Sequence, residues 1–177
     1  SVLHTQEAVD VWRLLCAVLE PRRGDLLRAA LGSPMWCLPL QAPAQWTSDE
    51  TQWEAWLDRL QDWHKLWRKQ GILPMLHRCL HDTQLPSRLF AHDPAHAERR
   101  LTNLLQLGEW LQTASTGLHG QTALLRHLEN HLRQPHLAHR RGCLQFVQLS
   151  RALHPTQPLH ALGNGAAGDH QHLAPFA

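Results

Sequence analysis

The sequence has 177 residues, of which 43% are hydrophobic, and a formal net charge of +2. This length supports one domain with a buried core, and the near-neutral charge gives no strong field toward nucleic acid or an anionic membrane. Only two of the 17 basic residues are lysines, Lys65 and Lys69, and neither follows a glycine. Because a P-loop requires a Gly-Lys pair, we expect this chain alone to bind no ATP cofactor.

The first part of the chain predicts two helices and then an irregular stretch. Thr5 is a suitable N-cap for a helix over 5–19, in which apolar residues recur at spacings of three and four. A shorter helix is predicted over 25–31, closed by Gly32. Residues 35–46 are rich in proline, and we expect no regular structure there.

The strongest helical signal starts at residue 47. Thr47 and Glu50 have the spacing of a capping box, and the predicted helix runs to about residue 70, with Gly71 behind it. Four tryptophans fall on one face of this helix: Trp53, Trp56, Trp63 and Trp67. Their helical spacing favours packing in a core, and a base-stacking platform for nucleic acid is the alternative.

Three more helices are predicted before residue 135. They are a helix over 74–80, a long helix with Asp93 as N-cap and Pro94 at its first position, and a helix over 124–132. The sequence therefore predicts an all-α domain of about six or seven helices over 1–135. Residues 136–177 are rich in His, Pro, Gly and Ala, and we expect an irregular C-terminal segment.

The histidines raise the question of a metal site. His77 and His81 are four residues apart, as are His127 and His131, so each pair would share a helix face. Neither pair has the Glu position or the third ligand that a zinc site of this kind requires. The cysteines form no Cys-x-x-Cys pair, which argues against a zinc knuckle and a redox dithiol. We predict no metal site and no catalytic residue in this chain.

Paired arginines are the candidate contacts for phosphate. The pairs are Arg22-Arg23, Arg99-Arg100 and Arg140-Arg141. Arg99 and Arg100 lie near the start of the long helix, where backbone N–H groups and the helix dipole also favour anions. We predict weak, salt-sensitive DNA binding at these two residues. Solvated surface, or an ion pair with Glu98, is the alternative.

Targeting signals are missing from the sequence. No apolar run approaches the roughly 18 residues that a membrane-crossing helix needs. The first residues lead directly into an amphipathic segment and do not resemble a secretory signal. We therefore expect a cytoplasmic protein with reduced thiols and no membrane partner.

Three runs of sequence, at 6–34, 67–76 and 98–111, occur within residues 6–133. The most specific is ERRLTN at 98–103. In this order the runs resemble the inserted helical (2B) region of the RecB family, the beta subunit of exodeoxyribonuclease V, a superfamily 1 helicase–nuclease. The resemblance implies an accessory module of an enzyme that uses ATP and Mg to unwind and degrade DNA in double-strand-break repair. It also implies DNA and other helicase–nuclease subunits or domains as partners.

After these runs the sequence departs from the family. The family continues with a Thr-x-His-x-x-Lys-Gly-Leu-Glu helicase motif, which is missing here, and FVQLSRA at 146–152 resembles a later motif instead. In the family the arginine of that later motif contacts nucleotide phosphate. This role would fall on Arg151 and would require a helicase core from another chain.

A nuclease carboxylate–lysine motif is also missing from the sequence. We therefore interpret the chain as a fragment or truncated relative of the family that is not catalytic alone. A free-standing helical interaction domain with no DNA role is the alternative, and a His-dependent metalloenzyme is a third hypothesis.

Overall fold

The computed structural model describes residues 1–134, and every regular element within them is helical. These residues form α1 (Gln6–Leu19), α2 (Gly24–Leu31), α3 (Ala42–Ser48), α4 (Glu50–Gln70), α5 (Ile72–Asp82), α6 (Leu85–His92), α7 (Ala97–Ser115) and α8 (Gln121–Leu132). Short 3₁₀ turns at Val2–His4 and Pro34–Trp36 precede α1 and follow α2. The predicted all-α class is confirmed. The segment 136–177, with Arg140, Arg141 and Arg151, lies outside the described residues.

The central helix of the domain is α1, which packs against α2, α4, α7 and α8. Its residues are buried on nearly all sides, and Trp12 and Leu15 are fully enclosed. A helix that is buried all round in this way belongs to the centre of a core. Thr5 caps it as predicted, because its Oγ1 accepts a hydrogen bond from the Ala8 N–H at 3.4 Å.

Residues 35–46, predicted to be irregular, contain two helical elements. The 3₁₀ turn buries Met35 and Trp36, and Trp36 Nε1 donates to the Ala30 carbonyl oxygen at 2.7 Å. Helix α3 follows, with Pro43 in its first turn. The prediction is wrong because proline fits the first turn of a helix, where its missing N–H costs no hydrogen bond.

Helix α4 is present as predicted, but it begins two residues later. Its N-cap is Asp49, whose Oδ1 accepts from the Gln52 N–H at 3.2 Å. Thr47 instead belongs to the last turn of α3, where its Oγ1 donates to the Ala44 carbonyl oxygen at 3.0 Å. The predicted capping box between Thr47 and Glu50 is therefore wrong. The end of α4 is confirmed at Gly71, whose φ of +99° suits glycine.

The tryptophan face of α4 packs into the core, as its spacing predicts. Three of its members are buried: Trp56, Trp63 and Trp67. The Trp56 ring makes edge-on contacts with Trp36 and Trp63, with centroids 6.3 and 6.4 Å apart. Trp53 lies at the edge of the core, half-buried, with the Arg28 guanidinium 5.0 Å from its ring. The buried rings are therefore unavailable as a stacking platform.

Helices α5 and α6 depart from the prediction in extent. Helix α5 starts at Ile72, so that Pro74 occupies its first turn, and it continues two residues beyond the predicted end, to Asp82. Helix α6 was not predicted. It is eight residues long and buries only Leu85 and Leu89, so it lacks a long apolar repeat.

Helix α7 begins at Ala97, three residues after the predicted start at Pro94. Asp93 is not its N-cap, and its Oδ1 lies 2.8 Å from Nδ1 of His96. A Cβ atom on Gly108 would lie 3.0 Å from Leu73 Cδ1, so glycine at this position lets α7 approach α5 closely.

The last described helix, α8, agrees with the prediction over 124–132. Its buried leucines pack on the core: Leu124, Leu125, Leu128 and Leu132. None of the helices within residues 1–134 combines the length and the apolar character that crossing a membrane requires.

Candidate nucleic-acid interface

The start of α7 presents the two predicted arginines differently. Because α7 begins at Ala97, Arg99 and Arg100 occupy its third and fourth positions. Arg99 is exposed to solvent, whereas the Arg100 side chain is only 16% exposed. The two adjacent arginines are therefore not equally accessible to an external ligand.

The guanidinium of Arg100 is held by groups of the protein. Its Nε donates to Glu7 Oε1 at 3.0 Å, and its Nη2 donates to the Pro34 carbonyl oxygen at 3.1 Å. Nη1 lies 3.7 Å from both Cys37 Sγ and Asp93 Oδ2. Although burial opposes its charge, the hydrogen bond to Glu7 keeps the pKa of Arg100 above its usual value. Arg100 thus ties α7 to α1 and to the 3₁₀ turn after α2.

The carboxylate of Glu7 has a second donor on α7. Asn103 Nδ2 donates to Glu7 Oε2 at 3.2 Å, so both oxygens of a side chain that is 8% exposed are satisfied. The alternative prediction was an ion pair of the arginines with Glu98, which is exposed. The observed partner of Arg100 is instead Glu7 of α1. An ion pair of this kind is primarily structural, because the two charges satisfy each other.

One turn further along α1, Asp10 is buried among donors. Its Oδ2 accepts from the Met35 N–H at 3.0 Å, and its Oδ1 accepts from Gln6 Nε2 at 2.9 Å and from Arg13 Nη1 at 3.3 Å. Burial raises the pKa of Asp10 from 3.8 to about 6, against the lowering effect of these partners. Asp10 therefore fixes the 3₁₀ turn to α1.

A surface groove of about 810 Å³ lies beside this network, between the first turns of α1 and the start of α7. We call it the polar groove. Arg99, His96 and Gln106 line its α7 side, and His4 and Gln6 line its α1 side. Because Arg100 is engaged with Glu7 and the Pro34 carbonyl, Arg99 is the residue of the predicted pair that is available to an external phosphate.

The arginine pair Arg22-Arg23, the other pair within the described residues, does not line the polar groove. Arg23 makes a two-point contact with Asp25, at 3.2 Å through Nε and 2.6 Å through Nη2, while Arg22 is exposed. The third pair, Arg140-Arg141, and the nucleotide-contacting candidate Arg151 lie outside the described residues.

The histidine pairs are placed on helices, as expected. His77 and His81 are exposed on α5. On α8, the His127 ring stacks on Trp110 at 5.3 Å, and burial together with His131 lowers the pKa of His127. In the part of the chain that the structure describes, no three His, Cys, Asp or Glu side chains form a group that could hold a metal ion.

Sequence reasoning missed Glu7, Asp10 and Asn103. A signal for the first two exists, because Glu7, Asp10 and Arg13 recur every three residues on a helix whose other residues are largely apolar. Charged residues in that position are buried only when they are paired. The identity of the partner, 93 residues away at Arg100, has no local signal.

Comparison with known proteins gives two relatives and no matching family model. The chain is similar to the RecB subunit of the RecBCD enzyme from Escherichia coli (strain K12), with 36% identity over 135 residues, or 76% of this chain. It is also similar to the RecB subunit of the RecBCD enzyme from Haemophilus influenzae, with 31% identity over 132 residues, or 75% of this chain. The matched region is 11% of the length of each relative, so this chain spans only a small part of them.

Proposed function

We propose, from the premise that this chain carries a partial RecB-like region, that it serves as the helical accessory module of a RecB-type helicase–nuclease. In this proposal the module packs on a helicase core, borders the path of the DNA and acts in double-strand-break repair. Its partners are DNA and other subunits or domains of the enzyme, and its location is the cytoplasm. The observation that carries the proposal is the similarity to RecB over three quarters of the chain.

The proposal assigns ATP hydrolysis and DNA cleavage to the rest of the enzyme. The chain contains no Gly-Lys pair to cradle a nucleotide phosphate, so its residues do not fit ATP with Mg as a resident cofactor. A role for Arg151 at a nucleotide remains a proposal that depends on a partner helicase core. We expect the purified chain to turn over no ATP and to degrade no DNA.

The part of the module assigned to DNA is the polar groove. Arg99 is exposed at the third position of α7, where the dipole of a 19-residue helix adds to its own positive charge. Arg100 supports this position indirectly, because its ion pair with Glu7 anchors the start of α7 to α1. The contact would be weak and independent of base sequence, since an arginine on a phosphate carries no sequence information.

A graft tests the proposal. The matching segment of RecB from Escherichia coli is replaced by this chain, the altered subunit is assembled into the RecBCD enzyme, and ATP-dependent degradation of linear double-stranded DNA is measured. A RecB that lacks the segment altogether is the control. We expect the graft to restore degradation that the deletion lacks. A graft no more active than the deletion would contradict the accessory role and would favour the free-standing interaction domain.

A further inference from the structure

The polar groove contains two histidines besides its arginines and carboxylates. His96 lines it from the N-cap position of α7, and His4 lines it from the 3₁₀ turn at Val2–His4. The charge of a histidine changes between pH 5 and 8, whereas an arginine stays charged throughout this range. The groove thus combines fixed charges with charges that depend on pH.

The fixed charges of the groove cancel one another. Its lining holds two arginines, Arg99 and Arg100, and two carboxylates, Glu7 and Asp93. Nε of Arg100 lies 3.0 Å from Glu7 Oε1, and Nη1 of the same guanidinium lies 3.7 Å from Asp93 Oδ2. The charge of Arg99 is therefore offset within the groove. Among the side chains of the lining, a net positive charge arises only when a histidine is protonated.

Asp93 holds one nitrogen of the His96 ring. Its Oδ1 lies 2.8 Å from His96 Nδ1, and the hydrogen bond from His96, with the charges of His96 and Arg100, lowers the pKa of Asp93. Asp93 is therefore ionised near neutral pH, and an ionised carboxylate can only accept, so Nδ1 is the donor. Nε2 is the ring nitrogen left for a ligand, on a side chain that is 53% exposed.

The protonation state of His96 decides what Nε2 offers to a phosphate. With its proton on Nδ1, a neutral ring presents a lone pair at Nε2, which cannot donate to a phosphate oxygen. A protonated ring presents an N–H there together with a positive charge, so that a charge-assisted hydrogen bond becomes available. His96 and Arg99 line the groove together at the start of α7, where no side chain caps the first N–H groups of the helix.

The other titratable and charged groups that face the groove come from three elements. His4 belongs to the 3₁₀ turn before α1, and it is the second group that gains charge as the pH falls. Glu7 belongs to α1, and both of its oxygens are occupied by Arg100 and Asn103 of α7. Asp10, whose pKa is raised to about 6, does not line the groove. Asp93 is thus the carboxylate that acts directly on the His96 ring.

We propose that the polar groove takes a phosphate of the DNA backbone between Arg99 and a protonated His96, so that DNA binding there strengthens as the pH falls below neutral. This inference rests on the proposed function and adds a second contact residue and a pH dependence to it. Asp93 is a positioning residue, because it holds Nδ1 of the ring and leaves Nε2 to the phosphate.

The test measures binding of a labelled oligothymidine strand to the purified full chain by fluorescence anisotropy, at pH 8 and at pH 6. His96→Gln removes the titrating group, and His77→Gln is the matched control at an exposed histidine of α5 outside the polar groove. The terminal amine beside Ser1 and the Asp10 carboxyl are present in all three proteins, so their titration cancels in the comparison. Thermal melts at both pH values report folding.

We expect the ratio of wild-type affinity to that of His96→Gln to grow about three- to fivefold from pH 8 to pH 6, because one positive charge beside a phosphate is lost in the variant. The salt slope of the wild type should steepen by up to about 0.7 more than that of His96→Gln over the same range. The ratio for His77→Gln should change by less than about 1.5-fold, because an exposed charge away from the bound phosphate is largely screened.

Asp93→Asn tests the charge balance of the groove. The amide oxygen can still accept the hydrogen bond from Nδ1, but the negative charge is removed. We therefore expect stronger binding than wild type at pH 8, where the arginines are no longer offset, and a smaller further gain at pH 6. Binding weaker than wild type at pH 8 would contradict this balance and overturn the proposal.

The remaining outcomes separate this inference from the proposed function. Binding that Arg99→Ala weakens, but whose pH dependence is the same in the wild type and in His96→Gln, overturns the role of His96 and leaves the accessory role standing. An equal loss of pH dependence in His77→Gln assigns the effect to the overall charge of the chain and also overturns the role of His96. A chain that binds no strand at either pH, with a RecB graft no more active than the deletion, overturns both.

Discussion

Two faces of α7 differ in how their side chains are satisfied. On the polar side, Glu7, Arg100 and Asn103 satisfy one another across 93 residues of sequence or more, and Arg99 remains exposed. On the opposite face, Leu105 is 36% exposed to solvent. Charged residues on one helix are therefore not equally available to a ligand, because a buried partner already holds one of the two arginines.

The largest expected effect comes from removing a tryptophan of the core. Trp56 is 5% exposed and contacts the rings of Trp36, Trp46 and Trp63. Trp56→Ala should lower the free energy of unfolding by roughly 3–5 kcal/mol. Urea unfolding followed by far-UV circular dichroism measures this loss.

The matched control for Trp56 is Trp53, which lies on the same helix but is half-buried at the edge. Trp53→Ala should cost clearly less, because less apolar area is lost and the site opens to solvent. Equal losses at the two positions would contradict the assignment of the α4 face to the core.

The next effect separates Arg100 from Arg99. Arg100→Ala leaves Glu7 buried without its cation, and should lower the free energy of unfolding by roughly 2–4 kcal/mol. Arg99→Ala changes an exposed side chain and should cost less than about 0.5 kcal/mol. The same urea unfolding measurement decides, and similar values for the two variants would remove the distinction between the neighbouring arginines.

A pH dependence is expected on the polar side, from Asp10. Its pKa is raised from 3.8 to about 6, so the folded protein holds this proton more tightly than the unfolded chain does. The contribution of Asp10 to stability is therefore fully present below pH 4 and is lost as the pH rises through 6. The free energy of unfolding of the wild type, minus that of Asp10→Asn, should therefore fall by roughly 2–3 kcal/mol from pH 4 to pH 7.

The control for this pH dependence has the opposite sign. The hydrogen bond from Arg23 lowers the pKa of Asp25, so its contribution is present above the unfolded pKa and is lost as the pH falls. Asp25 is largely exposed, and its effect should be much smaller. A difference between the wild type and Asp10→Asn that is flat with pH would show that Asp10 titrates normally.

The smallest expected effect concerns DNA. Arg99→Ala should weaken binding of a labelled single strand about two- to fivefold at low salt and make the salt slope shallower by about 0.7, because one phosphate contact is lost. Arg78→Ala, at an exposed arginine on α5 outside the polar groove, is the control. Fluorescence anisotropy at several salt concentrations measures the affinity and its salt slope for both variants. Identical slopes would show that Arg99 makes no phosphate contact.

The sequence predicts the long helices because their apolar repeats extend over several turns. It predicts the shorter ones less well, since α6 has a single buried pair, Leu85 and Leu89, and α3 opens with a proline that resembles a breaker. Three adjacent capping residues, Thr47, Ser48 and Asp49, leave the start of α4 ambiguous by two positions.

At the candidate interface, the sequence places Arg99 and Arg100 at a helix start but cannot distinguish them. Which of the two turns inward depends on the packing of α7 against α1, and Glu7 is far away in sequence. Buried pairs of this kind are determined by tertiary structure, so local patterns predict the residues and not their partners.

The accessory role beside DNA is tested by a cryo-electron microscopy map of the RecBCD enzyme that carries this chain as the graft, bound to DNA. We predict DNA backbone on the Arg99 side of α7 in the active enzyme. An active enzyme whose DNA path lies away from the Arg99 side of α7 would contradict this placement.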